Sequence, residues 1–129
     1  MNRKHVTSGS PWEEKFGYRR ALRVDRHVYV SGTAPVGDDG NTFAPGDAYA
    51  QACRCLDIAT RAAAELGAKP EHIVRTRMYL TDISLAEEFG RAHAEFFREH
   101  PPVCTMVEIR KLILPDMLIE IELEALLPA

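Results

Sequence analysis

The period of hydrophobic and polar positions changes several times along this chain, and each change marks an element. Near the C-terminus Ile119, Ile121 and Leu123 alternate with Glu120, Glu122 and Glu124. A period of two puts the aliphatics on one face of a strand and the carboxylates on the other. Upstream, Thr105, Val107 and Ile109 alternate with Cys104, Met106, Glu108 and Arg110, predicting a strand that pairs with the last one across a connection containing Pro115 and Asp116. The same period runs over 73–80, where Val74, Met78 and Leu80 alternate with Arg75, Arg77 and Tyr79. Closer to the N-terminus it predicts strands over 18–24 and 27–31, joined by a two-residue turn at Asp25 and Arg26, and a short edge strand over 4–7.

Two stretches switch to three- and four-residue steps. Ala48, Ala52, Cys55, Leu56, Ala59, Ala63 and Leu66 form one apolar stripe, bounded by Asp47 as N-cap and Gly67 just beyond the C-terminus. Leu85, Phe89, Ala92 and Phe96, with Phe97 beside them, predict a second helix that starts at a Ser84/Glu87 capping box and stops at Pro101 and Pro102. Residues 8–17 (SGSPWEEKFG) read as a loop anchored by Trp12, and residues 33–45 as a loop rich in Gly, Pro, Asp and Asn. The resulting order, β-β-β-α-β-α-β-β, predicts an α+β fold: one domain over 1–129, a mixed sheet with two helices on one face. The opposite sheet face is then polar or packs on another chain, and the aliphatic content of the strands favours a symmetric homo-oligomer.

Composition narrows the partners. With 129 residues and a net charge of −3, the chain spreads its Lys and Arg widely apart from Arg19, Arg20 and Arg23. That distribution argues against nucleic acid as the main partner. No apolar run approaches the roughly 20 residues of a membrane span, and no apolar segment follows the basic N-terminal residues, so no membrane partner and a cytoplasmic location are expected. Three cysteines are too few for a disulfide framework, and Cys53 and Cys55 point about 200° apart around a helix. The histidines at 5, 27, 72, 93 and 100 are scattered without ligand spacing, so no metal is expected.

Candidate chemistry concentrates at a few positions. Gly32 ends a strand where backbone must approach something closely. The carboxylates of the last strand face water or carry chemistry, and Arg75, Arg77 and Tyr79 either bind an anion or form an exposed polar face.

Gly17-Tyr18, the run Val30 to Pro35 (VSGTAP), Gln51 with Leu56, the run Arg77 to Asp82 (RMYLTD), Pro102 to Glu108, and Ile119 to Glu122 stand in an order and spacing that resembles the RidA (YjgF/YER057c/UK114) family over almost the whole chain. The resemblance implies a chorismate-mutase-like fold and a homotrimer with clefts between subunits. It implies hydrolysis of reactive enamines and imines, such as 2-aminoacrylate, to 2-keto acids and ammonia, with no metal or organic cofactor. It also implies a small-molecule cleft with Tyr18 near the substrate, Gly32 as a backbone contact, and Glu120 orienting the attacking water or protonating the departing amine. A carboxylate in such a partly dry cleft has its pKa raised toward the range of a general acid or base.

One departure bears on the substrate. Family deaminases carry Pro, a small residue, Arg and then Ser or Thr at the strand after the second helix, and that Arg pairs with the substrate carboxylate. Here the run is Pro102-Val103-Cys104-Thr105, so Cys104 stands at the arginine position beside Thr105, and Gly90 falls where the family has a polar Asn. A charge-assisted contact worth about 1.5 to 3 kcal/mol is lost. Either Arg20, Arg23, Arg75 or Arg77 replaces the cation, or the substrate is not an amino-acid derivative and Cys104 itself acts as a nucleophile. Three function classes follow: an enamine/imine hydrolase with altered substrate, a non-catalytic protein that binds a small ligand or a partner protein in the same clefts, and RNA cleavage or translational inhibition, a label some family members carry, which the acidic charge and the lack of an aromatic-basic stripe make the least favoured.

Overall fold

The last strand of the chain lies in the middle of the sheet. In the computed structural model, which describes residues 1–129, the elements run β1 (Arg3–Val6), α1 (Pro11–Phe16), β2 (Ala21–Val24), β3 (His27–Thr33), α2 (Ala48–Glu65), β4 (Ile73–Leu80), α3 (Ala86–Phe97), β5 (Val103–Glu108) and β6 (Ile119–Leu126). They build one six-stranded sheet in the order β1-β2-β3-β6-β4-β5. All neighbours are antiparallel except β4 and β5, which run parallel because α3 carries the chain back between them.

This order corrects one expectation. β5 and β6 do not pair: β6 inserts between β3 and β4, and β5 forms the outer edge against β4. Insertion explains the pattern of β6. A central strand backed by helices buries every second residue, so Ile119, Ile121, Leu123 and Ala125 are all buried.

The helices cover one sheet face, as the periodicity predicts. Asp47 caps α2 through a 3.0 Å bond from the Ala50 N–H, and Gly67, at φ +94°, reverses the chain after it. Ala48, Ala52, Cys55, Leu56, Ala59, Ala63 and Leu66 are all buried. Their small side chains let α2 lie close over β3 and β6, where Leu56, Val28, Val30, Ile121 and Leu123 belong to a single core with Met78, Leu80 and Phe89. Full burial of a side chain of Leu size contributes about 1.5 to 3 kcal/mol. Gln51, fully buried, ties α2 to the loop ahead of β6: its amide N–H donates to the Asp116 carbonyl at 3.0 Å, and its Oε1 accepts from the Leu118 N–H at 2.8 Å.

Four local differences have physical causes. Residues 11–16 are helical, because Ser10 accepts from the Trp12 N–H, Pro11 occupies the first turn, and Glu13 and Glu14 sit at its positive end. Within this helix Glu13 is buried, whereas Trp12 stacks on Phe16 near the surface. The Ser84/Glu87 box does not form: Asp82 takes both the N–H and the hydroxyl of Ser84, and α3 starts at Ala86. On α3 the buried aromatics are Phe89 and Phe97, with Phe96 only partly covered. In β4 a bulge between Ile73 and Arg75 throws Val74 outward and leaves Ile73, Thr76, Met78 and Leu80 facing the helices.

Candidate functional site

The uncovered sheet face separates the three glutamates of β6 from one another. Arg75 Nε lies 3.3 Å from Glu124, and Arg77 reaches both Glu122 at 3.7 Å and Glu124 at 3.9 Å. The register sets these pairs, since Arg75 is opposite Glu124 and Arg77 opposite Glu122. The Tyr79 hydroxyl donates to Glu122, and that bond raises the tyrosine pKa above its ordinary value. Arg75, Arg77 and Tyr79 thus neutralise Glu122 and Glu124 as part of the surface. Glu120 takes part in no ion pair.

Glu120 is half-buried, and its carboxyl group lies against the backbone of Gly32 in β3. A β-carbon on Gly32 would fall inside contact with Glu120 Oε1 and 3.0 Å from Cδ. The close approach expected at Gly32 is therefore to a carboxylate. A register shift between Val30 and Thr33 opens β3 at this point, and the side chain fills the space that glycine leaves. Burial raises the Glu120 pKa above the ordinary carboxylate value; the positive charge of Arg20 opposes that rise and the negative charge of Glu122 adds to it.

Arg20 approaches Gly32 through its carbonyl. Its Nη2 donates to the Gly32 oxygen at 2.6 Å, while its buried Nε has no hydrogen-bond partner. Burial lowers the Arg20 pKa, and Tyr18, Glu13 and Glu120 are near enough to oppose that through their charges. Tyr18 follows Gly17, which caps α1 in the left-handed conformation, and the Tyr18 N–H returns to the Glu13 carbonyl at 2.9 Å. Glu13 is held by the Ser8 backbone and hydroxyl; burial pushes its pKa up, the Ser8 bonds and Arg20 pull it down, and the net shift is downward. Its other oxygen, Oε1, is buried without a partner.

Of the residues singled out from the sequence, Tyr18, Gly32 and Glu120 gather around Arg20. Cys104 and Thr105 do not join them, because β4 separates β5 from β6. Cys104 is paired in register with Thr76 on the helix side of the edge strand, where its Sγ lies 3.8 Å from Met78 Sδ, and Thr105 is opposite Arg77. Cys104 and Glu120 therefore sit on opposite sheet faces within one chain, and Cys104 cannot attack a group held by that chain's Glu120. Glu13 escaped the sequence reading because its segment read as a loop, although Ser10, Pro11 and two following glutamates form a helix-start signal. No group of three or more His, Cys, Asp or Glu side chains is arranged to hold a metal ion.

A hollow of about 350 Å³ lies beyond the end of β4, lined by Thr81, the run Arg110 to Pro115, and Met117. It contains none of the residues around Glu120.

A mixed sheet with its helices on one face and a desolvated carboxylate on the other is an α+β architecture of the chorismate-mutase-like class. A model of the family described as Endoribonuclease L-PSP matches residues 12–127. An uncharacterised protein of Streptomyces coelicolor is 37% identical over 122 residues, spanning 95% of this chain and 90% of its own. The 3-aminoacrylate deaminase RutC of Acinetobacter baylyi is 30% identical over 104 residues, 81% of this chain and 82% of its own. A crystal structure of a YjgF/YER057c/UK114 family member from Mycobacterium tuberculosis superposes with a TM-score of 0.88 at 40% identity, covering 98% of this chain and 100% of that one. The chain belongs to the RidA (YjgF/YER057c/UK114) family. No helix in it is long and apolar enough to cross a membrane.

Proposed function

We propose that this protein hydrolyses the C=N bond of a small reactive imine, formed from its enamine tautomer, with Glu120 as the acid/base. The observation that carries the proposal is the isolation of Glu120: it alone of the three glutamates is without an ion-pair partner, it is pressed against Gly32, and its pKa is raised. A carboxyl group in that state exchanges protons nearer neutral pH than an exposed glutamate does. The protonated form delivers its proton to the imine nitrogen while water adds to the carbon, forming the C–O bond. One proton of the added water passes to the nitrogen, giving a carbinolamine with a hydroxyl and a protonated amine; the carboxylate then removes the hydroxyl proton as the C–N bond breaks, leaving a carbonyl product and ammonia and restoring protonated Glu120. The likeness to RutC, named as a 3-aminoacrylate deaminase, supports a β-enamine acid as one substrate to be tested beside 2-aminoacrylate.

The proposal includes assembly as a homotrimer with the sites between subunits. Exposed Tyr29, Val103 and Val107 support it, since the face and edge that carry them have no cover within the chain. In a trimer Thr105 and Cys104 would border a neighbouring subunit's Glu120 site. A cytoplasmic location accords with three free thiols. The test is ammonia release from 2-aminoacrylate and 3-aminoacrylate generated in situ. Wild type accelerates at least one, and Glu120→Gln returns the rate to that of free solution. Saturable ligand binding without turnover would instead establish the non-catalytic reading.

A further inference from the structure

Of the two glutamates in the first turn of α1, Glu14 is exposed and Glu13 is buried, with only 3% of its surface accessible. A carboxylate leaves water at a high cost unless bonds and a cation compensate, so the place of Glu13 needs a reason. Its Oε2 accepts from the Ser8 N–H at 3.0 Å and from the Ser8 hydroxyl. Its backbone carbonyl accepts from the N–H groups of Gly17 and Tyr18, both at 2.9 Å. Glu13 is thereby fixed between the segment that follows β1 and the one that leads into β2. Its Oε1 is buried without a hydrogen bond, and the positive charge that acts on it is that of Arg20, whose buried Nε–H is also without a partner.

Arg20 has two carboxylates near enough to act through their charges, Glu13 and Glu120, and closes an ion pair with neither. Its Nη2 is held instead on the Gly32 carbonyl at 2.6 Å, and its backbone N–H on the Val6 carbonyl at 3.0 Å. The Glu120 carboxyl group lies against the α-carbon of the same glycine. A guanidinium so placed ordinarily closes a two-bonded pair with a carboxylate, and that pair would hold Glu120 ionised and remove its acid/base character. A second buried carboxylate changes the balance, because the cation then gains less by moving to Glu120. We propose that Glu13 is a positioning residue of this site: its carboxylate, on the buried side of α1, holds the Arg20 guanidinium on the Gly32 carbonyl and so keeps it from pairing with Glu120. The proposal rests on the reading of Glu120 as acid/base and explains why that glutamate stands alone. The groups whose charges face Glu120 are Arg20, Glu122 on its own strand, Tyr79 from β4 and the Cys55 thiol from α2. Arg20 is the cation among them, so its placement decides the state of Glu120.

The test follows the Glu120 carboxyl carbon by NMR titration, beside ammonia release, in wild type, Glu13→Gln, Glu13→Asp and the double variant Glu13→Gln/Arg20→Gln. With Glu13 neutral, Arg20 turns to Glu120, and the proton affinity of Glu120 should fall about 3- to 10-fold. The kcat for imine hydrolysis should fall about 10- to 100-fold, with a smaller change in KM. Glu13→Asp keeps the charge and should keep most of both. In the double variant no cation is left to pair, so the proton affinity of Glu120 should return at least to that of wild type, and part of the lost turnover with it. A merely structural role for Glu13 gives no such recovery, because a second substitution in a damaged fold does not repair it. Urea midpoints identify the variants that fold. Wild type alone supplies a reading that no variant's folding affects: the Arg20 Nε–H resonance should shift as Glu13 takes a proton below pH 4.5. A resonance indifferent to that ionisation overturns the proposal, as does a double variant no better than a folded Glu13→Gln. If Glu120 titrates alike in wild type and Glu13→Gln while Glu120→Gln abolishes turnover, the positioning role fails and the hydrolase reading stands. If Glu13→Gln shifts the Glu120 titration while Glu120→Gln keeps full turnover, the hydrolase reading fails and the hold of Glu13 on Arg20 stands.

Discussion

Replacing Gly32 by alanine should separate catalysis from folding. The backbone there is outside the left-handed region, so alanine adopts it without strain, and loss of glycine's freedom in the unfolded chain stabilises by about 0.4 to 1 kcal/mol. The opposing cost is a clash of the new methyl with one side chain only. It would press into Glu120 Oε1 and lie 3.0 Å from Cδ and 3.4 Å from Cγ. Because no ion pair holds Glu120, the side chain can rotate away, moving the carboxyl group by on the order of 1 Å to restore contact distances. The net stability change should therefore stay within about 1 kcal/mol of wild type, well below the 1 to 3 kcal/mol of an overpacked core. Turnover should fall about 100-fold, the usual consequence of a 1 Å misplacement of a catalytic group. Urea denaturation and ammonia release, measured on Gly32→Ala, Glu120→Gln and the double variant, test both parts. If Gly32 acts through Glu120, the double variant is no slower than Glu120→Gln. Independent, multiplying losses would refute the reasoning, as would undiminished turnover in Gly32→Ala or a stability loss above about 3 kcal/mol.

Two further predictions concern pH. Glu120 has a folded-state pKa above its unfolded value, so the folded protein binds the extra proton and stability falls as pH rises from 4.5 through the folded pKa; urea midpoints across that range should show a decline that Glu120→Gln removes. His93 behaves oppositely. Burial lowers its pKa below 6.5, so the unfolded chain binds more protons and stability is lost as pH falls below 6.5. His93→Ala should flatten that acid-side loss, and near pH 7 it should cost about 1 to 3 kcal/mol, because it strips the fully buried Thr76 hydroxyl of its 2.7 Å partner; an unchanged urea midpoint at pH 7 would contradict it.

What could be read from the sequence follows from which contacts are local. The stripe on α2 and the alternation in β6 were legible because burial on one face of a helix or strand repeats with the element's own period. Pairing was not legible in the same way. β5 precedes β6 in the chain, yet β6 enters between β3 and β4, and no local pattern encodes that insertion. The Val74 bulge likewise depends on the partner strand. At the site, Gly32 announced a close approach, but its partner became visible only once β3 and β6 were side by side. The arginines are chemically equal in the sequence; only the register across the sheet pairs Arg75 with Glu124 and Arg77 with Glu122. Cys104 took its importance from the residue it replaces, and its side of the sheet depends on pairing with β4.

The most direct test of the account is the pH dependence of kcat/KM for imine hydrolysis, set beside the Glu120 carboxyl pKa from carbon NMR of the free protein. The account predicts one shared ionisation above 4.5, present in both measurements and absent from the residual rate of Glu120→Gln. A Glu120 that titrates at or below 4.5, or a rate profile that survives the substitution, would contradict it.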